Sequence, residues 1–269
     1  KVEAALANGS LSRVTVEFDG RSYQATVDAA GNWRAEVPAS DIRLGTYTTD
    51  VIVRATDGAG NGGSLTPVNL SIDTDAPGSP VVAGYFRDAS GIRSVSIDIT
   101  SDQITLMELR PDGVLSPMTA QGFDIPPLGE TLFNFGSSLP DGSHLVITAT
   151  DQAGNRSGTF LAFDELTTSV IDLSAPLAAG LRIDAIDLSF AEDSLLTLTE
   201  AQILALSPDS RSITVHGGVD DALTLSGAQL VAGESRTIEG RRYDVYEMGD
   251  ARVIVDEDLH DPAFIESRC

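Results

Sequence analysis

RATDGAGN at residues 54–61 and TATDQAGN at residues 148–155 share the string Ala-Thr-Asp-x-Ala-Gly-Asn. The first copy begins at Ala55 and the second at Ala149, a spacing close to the roughly 100 residues of one β-sandwich domain. A repeat at that period predicts serial modules rather than one large core. Each copy closes an alternating apolar run: Val51, Val53 and Ala55 lead into Asp57, and Leu145, Ile147 and Ala149 lead into Asp151. The motif itself has the chemistry of a turn. Asp ends the strand, Gly supplies a positive φ and Asn tolerates the left-handed region.

Working outward from the first copy, a period of two runs through the first 75 residues. Val14, Val16 and Phe18 alternate up to Asp19-Gly20, a tight-hairpin signal. Tyr23, Ala25 and Val27 return, Asp28 to Asn32 turn again, and Trp33 is expected as a core anchor. Leu65, Val68, Leu70 and Ile72 close the unit. Around the second copy, Val95 and Ile97 alternate and a hairpin is expected across Asp112-Gly113. SIDTDAP at 71–77 and VIDLSAP at 170–176 both end in Ala-Pro, which predicts stiff joints because proline restricts itself and its predecessor.

The expected domains are therefore 1–75, 76–176 and 177–269. The last differs in kind. Thr199 and Gln202 form a capping box, Leu198 and Ile203 a hydrophobic staple, and Pro208 a stop, predicting a helix near 200–207. Short strands follow at 212–216, 222–225, 235–239, 241–247 and 251–255. The fold class expected is mostly β: tandem sandwiches, then a small β-rich domain with one short helix. The first unit is shorter than the second at its front, so Lys1 is expected to begin inside a sandwich whose first strand lies upstream.

Composition limits the function. The 269 residues carry 17 Lys plus Arg against 40 Asp plus Glu, a net charge of −23. Phosphates would be repelled, which excludes a nucleic-acid partner. No apolar run is long enough to insert in a membrane, and no N-terminal signal peptide is legible. The single cysteine, Cys269, allows no intramolecular disulfide. His144, His216 and His260 lie in separate contexts without zinc spacing and read as packing or surface residues. There is no nucleophile elbow and no phosphate loop. Aromatic residues are only 6%, too few for the usual sugar-stacking cleft. The expectation is a protein that is not an enzyme.

The joints suggest a metal. If the loop after a long strand lies beside the next joint, Asp57 would face Asp73 and Asp75, and Asp151 would face Asp172. Calcium takes six to eight oxygens from such carboxylates, and binding it would turn their repulsion into rigidity. Specific loop signatures fail: DTDAPG at 73–78 starts like an EF-hand, but Pro77 and Gly84 in place of the twelfth-position Glu break it. HGGVDD at 216–221 occurs once, which predicts no β-helix.

GNWRAEVPASDI, ATDGAGN, DTDAP and DGSHLVITATDQAGN resemble the bacterial Ig-like repeats of large biofilm-associated surface adhesins. IDLSFAEDSLLTLTEAQILAL, ITVHGGVDDALTLSGAQ and RRYDVYEMGDARVIVDEDL resemble a C-terminal module found after such repeats. The resemblance implies type I secretion with an uncleaved C-terminal signal, an extracellular or cell-surface location, and calcium at domain joints. Ser174 stands where the first copy has Asp75, so calcium is expected to be weaker at the second joint. The expected role is a calcium-stiffened stalk and terminal module in adhesion or biofilm formation. Its expected partners are neighbouring Ig-like domains of the same or another chain and a cell-surface or matrix ligand. The alternatives are a subunit of an extracellular filament or surface layer assembled by strand exchange, or an appendage of a secreted hydrolase.

Overall fold

The computed structural model describes residues 11–163 and 169–259. It divides the chain into two units, Lys1–Asp75 and Ala76–Cys269, and both are built mainly from strands. The expectations for Lys1, His260 and Cys269 lie outside the described residues. Among the described residues, no helix is long and apolar enough to cross a membrane.

In the first unit, buried Val14, Val16 and Phe18 alternate along β1 (Leu11–Phe18). The chain reverses at Asp19-Gly20 into β2 (Arg21–Gln24), with φ of 48° and 75°. Two consecutive positive φ values give the turn whose twist matches the flanking strands. β3 (Thr26–Val27) and β4 (Trp33–Arg34) make a separate two-stranded ribbon. The 12-residue β5 (Thr46–Asp57) is the spine, pairing with β1, with β6 (Gly62–Ser64) and with β7 (Val68–Asp73). Val14, Val16, Ala25, Val53 and Ala55 form the core, and Trp33 packs against it from the ribbon.

The second unit opens with a sandwich. One sheet contains β8 (Val82–Asp88), β9 (Gly91–Asp98), β12 (Ala120–Ile125) and β13 (Glu130–Leu139), in the order β12-β13-β9-β8. The facing strands are β10 (Gln103–Leu109), β11 (Leu115–Pro117), β14 (His144–Thr150) and β15 (Arg156–Leu161). Val95, Ile97, Phe135, Leu145, Ile147 and Leu161 meet between them.

The domain expected to begin at 177 is not separate. β17 (Ala185–Asp187) pairs in parallel with β15, β19 (Ser212–His216) with β17, and β23 (Ala251–Asp256) with β19. β22 (Arg241–Met248) and β21 (Gln229–Ile238) complete one nine-stranded sheet. A second, parallel sheet holds β16 (Ser169–Val170), β18 (Ser194–Leu198) and β20 (Ala222–Leu225). From β15 to β20 the strands alternate between the two sheets, so the chain coils in parallel rungs. The expectation of no β-helix is corrected to this short coil. Its core is made by apolar alternation rather than by repeated glycine-aspartate turns.

Two helices complete the unit. α1 (Ser174–Ala178) occupies the place of the expected stiff second joint, with Pro176 buried in its first turn, where proline is tolerated. α2 (Glu200–Leu206) begins at the expected capping box, the Thr199 hydroxyl and the Gln202 side chain each serving the other's backbone N–H. Leu198 and Ile203 are both buried. The reason for the merger is legible in β15. Phe160 packs toward the coil and Leu161 toward the sandwich, both fully buried, so neither face of this strand can be left to water.

Gly158 marks the seam. Its carbonyl accepts the amide of Asp184 at 2.9 Å, and an added Cβ would lie 2.3 Å from the Arg182 carbonyl oxygen. Gly158→Val should therefore cost at least about 1–3 kcal/mol, as overpacking does. The loss should appear in one cooperative denaturant transition of residues 76–269. A fragment 177–269 alone should give a poorly dispersed NMR spectrum; well-resolved native-like peaks would contradict the merged core.

Candidate functional site

The repeated motif is a clamp. At the end of β5, Asp57 Oδ1 accepts the amides of Ala59 (2.9 Å) and Asn61 (2.8 Å), and Oδ2 accepts the Asn61 side-chain amide at 2.8 Å. At the end of β14, Asp151 takes the backbone and side-chain N–H groups of Asn155 at 2.9 and 2.8 Å. A third clamp joins Asp28 to Ala30 and Asn32 with the same pattern. Its signal, D-x-A-G-N at 28–32, stands in the sequence as DAAGN. In all three the glycine has positive φ, 82°, 89° and 94° at Gly31, Gly60 and Gly154. The asparagine side chain is the largest cause holding each Asp carboxyl below its ordinary range, and the turn amides add to it.

The joint expectation requires correction. Thr46 at the start of β5 pairs with Asp73, whereas Asp57 ends the same strand. An antiparallel return places Asp73 and Asp75 roughly 35 Å from Asp57 along the strand. The same holds in the second unit. Asp172 borders a recess with Gly142 and His144, at the start of β14, and Asp151 follows its far end. Asp172 serves Ser174, accepting its amide at 2.8 Å and its hydroxyl at 2.9 Å ahead of α1. Only Asp73 and Asp75 come together, sharing the Thr46 hydroxyl at 2.9 and 3.1 Å. Among the described residues, no group of three or more His, Cys, Asp or Glu side chains is arranged to hold a metal ion. Strand direction therefore separates Asp57 from Asp73 and Asp75, and Asp151 from Asp172.

Pairing assembles a different cluster. Asp187 ends β17 opposite His216, which ends β19, and Asp256 ends β23 opposite Tyr243 of β22. These four polar side chains form one row across four adjacent strands, on the face that Leu161 presents to the sandwich core. His216 Nδ1 and the Tyr243 hydroxyl are 2.7 Å apart. Asp256, 1% exposed, accepts Arg241 at 3.3 Å. Burial raises the Asp187 carboxyl and the Tyr243 phenol above their ordinary values and lowers the His216 imidazole. The sequence places His216 among packing or surface residues. Nothing in its neighbours along the chain reveals three partners from other strands.

A cleft of about 270 Å³ opens beside this row. Ser79–Ala83, Phe190, Glu239 and Arg241 are among its lining residues. Hydrogen bonds from Ser157 to the Gly78 carbonyl (3.0 Å) and from Thr159 to the Pro80 carbonyl (2.6 Å) tie that first segment to β15. The string HGGVDD is a nearby tight turn. Buried Asp221 accepts the amides of Ser194 and Gly218 at 3.1 and 2.9 Å, which explains this aspartate without a metal.

Asp57→Ala and Asp151→Ala should each lower the melting temperature by a few degrees, by the same amount in calcium and in chelator. A loss seen only in calcium would mean that a cation, not the asparagine clamp, holds the turn. The pH dependence has a definite sign. A carboxyl lowered on folding stabilises fully above its unfolded value, near 3.8, and that contribution is lost as pH falls through the folded value. The Asp57→Asn, Asp151→Asn double variant should accordingly show a shallower loss of stability in acid, measured by denaturant midpoints.

A search of curated proteins returns no match to this chain. Residues 5–74, the region that carries the first two clamps and the β5 spine, match the family model of the bacterial Ig-like domain.

Proposed function

We propose that this chain is a non-enzymatic stalk and terminal segment of an exported bacterial surface adhesin. The observation that carries the reading is the recurrence of one clamped strand ending, at Asp57 and at Asp151, in two successive sandwiches. It is supported by the match of residues 5–74 to a bacterial Ig-like domain. Serial modules of this kind hold a binding end away from a surface, and turns pinned by their own side chains keep each module rigid. The acidic surface, at net charge −23, keeps such chains soluble and apart.

Calcium enters this proposal only at Asp73 and Asp75, the pair that converges on Thr46. Two carboxylates supply fewer oxygens than the six to eight calcium takes, so this pair would contribute part of a coordination shell. Asp73→Asn should remove any calcium-dependent rise in melting temperature while leaving the value in chelator unchanged. If the rise persists in Asp73→Asn, calcium acts elsewhere.

Location is tested with antibodies raised against residues 76–269. They should label intact cells of the producing bacterium, and deleting the segment should reduce attachment to surfaces. Labelling confined to lysed cells would overturn the proposal.

A further inference from the structure

The chain enters and leaves the first unit at opposite ends of one strand. β1 begins at Leu11 opposite Asp57, and β7 ends at Asp73 opposite Thr46. Val51 pairs both with Phe18 of β1 and with Val68 of β7, so these two strands lie on opposite edges of β5. β1 covers the half of β5 from Val51 to Asp57 and β7 the half from Thr46 to Val51. Both run antiparallel to β5 and hence in the same direction. Tension along the backbone pulls Leu11 past one end of β5 and Asp73 past the other, which slides each strand along β5 instead of lifting it off. The ladder bonds of antiparallel strands lie across such a pull, so the seven partners of β1 and the six of β7 resist it together. Each end of β5 is also fastened. At the entry, the Asp57 amide donates to the Asn61 carbonyl at 2.9 Å, and β6 returns along the edge that β1 leaves free. At the exit, the Thr46 hydroxyl donates to Asp73 and Asp75, and the Gly45 amide to the Thr74 hydroxyl at 2.8 Å.

We infer that the first unit is a shear joint, in which β5 splints β1 to β7 so that tension along the chain passes through both ladders. Sliding meets a second obstacle in the core. A slip of one residue turns every side chain of a strand to the other face. For β1 that would move Val14, Val16 and Phe18, each at 6% exposure or less, out of the core. The segment between β1 and β5 carries no tension until the joint slips, because the force crosses from β1 to β5 through their ladder. Asp73 and Asp75 hold the last strand to the first residue of β5. The inference rests on the stalk reading only for the source of the tension; the geometry belongs to residues 11–75.

The test is single-molecule pulling on the full 269-residue chain carrying Cys269→Ser, through pairs of cysteine handles. Ser10→Cys with Ala76→Cys applies force along β5. Ser10→Cys with Ala59→Cys applies it at one end of the sheet, where Leu11 faces Asp57, and opens the β1–β5 ladder one partner at a time. Ala59 and Ala76 are exposed, so both variants should melt at the parent temperature. At equal loading rate the axial pair should need at least about twofold more force, since forced unfolding follows the barrier crossed and not the equilibrium stability. Its step should be about 190 Å, the release of residues 11–73 at ~3.6 Å each less the roughly 35 Å already spanned. Thr46→Val deletes the hydroxyl that Asp73 and Asp75 share. It should lower the axial force and leave the peeling force as it was. An axial force no higher than the peeling force, or equal losses in both directions for Thr46→Val, would overturn the inference. These readouts do not depend on where the protein resides, so labelling confined to lysed cells would remove the stalk reading and leave the joint standing.

Discussion

Phe160 and Leu161 are neighbours in β15 that point to opposite faces of one sheet, and both are fully buried. Each such side chain gains roughly 1.5–3 kcal/mol on leaving water. A strand with two apolar faces therefore demands two covers. The sandwich sheet β12-β13-β9-β8 supplies one, and the parallel sheet β16-β18-β20 with α1 and α2 supplies the other. The nine-stranded sheet is the shared wall. Its requirement for cover on both sides binds residues 76–269 into a single unit and sets where the polar row can lie.

That row exists because the two covers differ in width. Sheet β12-β13-β9-β8 faces β10, β14 and β15 and ends near β8, while the nine-stranded sheet runs on through β17, β19, β23 and β22. On the face left over, the row contributed by β17, β19, β23 and β22 is Asp187, His216, Asp256 and Tyr243. Low local dielectric makes each of these groups sensitive to its neighbours, whereas the clamps at Asp28, Asp57 and Asp151 act through short hydrogen bonds within one turn. Asp187 and the clamp aspartates are shifted in opposite directions for that reason. Burial raises Asp187, and donated N–H groups lower Asp57.

The Ig-like region and the coil also divide along the kind of contact they use. Residues 11–73 use hairpins at Asp19-Gly20 and at the β5–β6 clamp, beside the longer-range antiparallel pairing of β1 with β5. The coil uses parallel pairs between strands some 30 residues apart, such as Asp187 with His216. Only the first kind of contact leaves a turn motif in the chain.

That difference accounts for what could be read in advance. Strands β19, β20, β22 and β23 and helix α2 were legible within a residue or two, because alternation and capping are local. So were the clamps as turns, since Asp, Gly and Asn act within five residues. The placement of Asp57 opposite Asp73 was misread because strand direction, not sequence distance, decides which ends meet. Ala175-Pro176 became helix rather than hinge because Pro176 packs into a core that the strands on either side create. The amino-acid sequence by itself determined which segments are strands and how their turns close. The tertiary structure alone decided that two modules share a sheet and that Asp187, His216, Tyr243 and Asp256 meet, because lateral pairing joins residues whose positions along the chain carry no mark of each other.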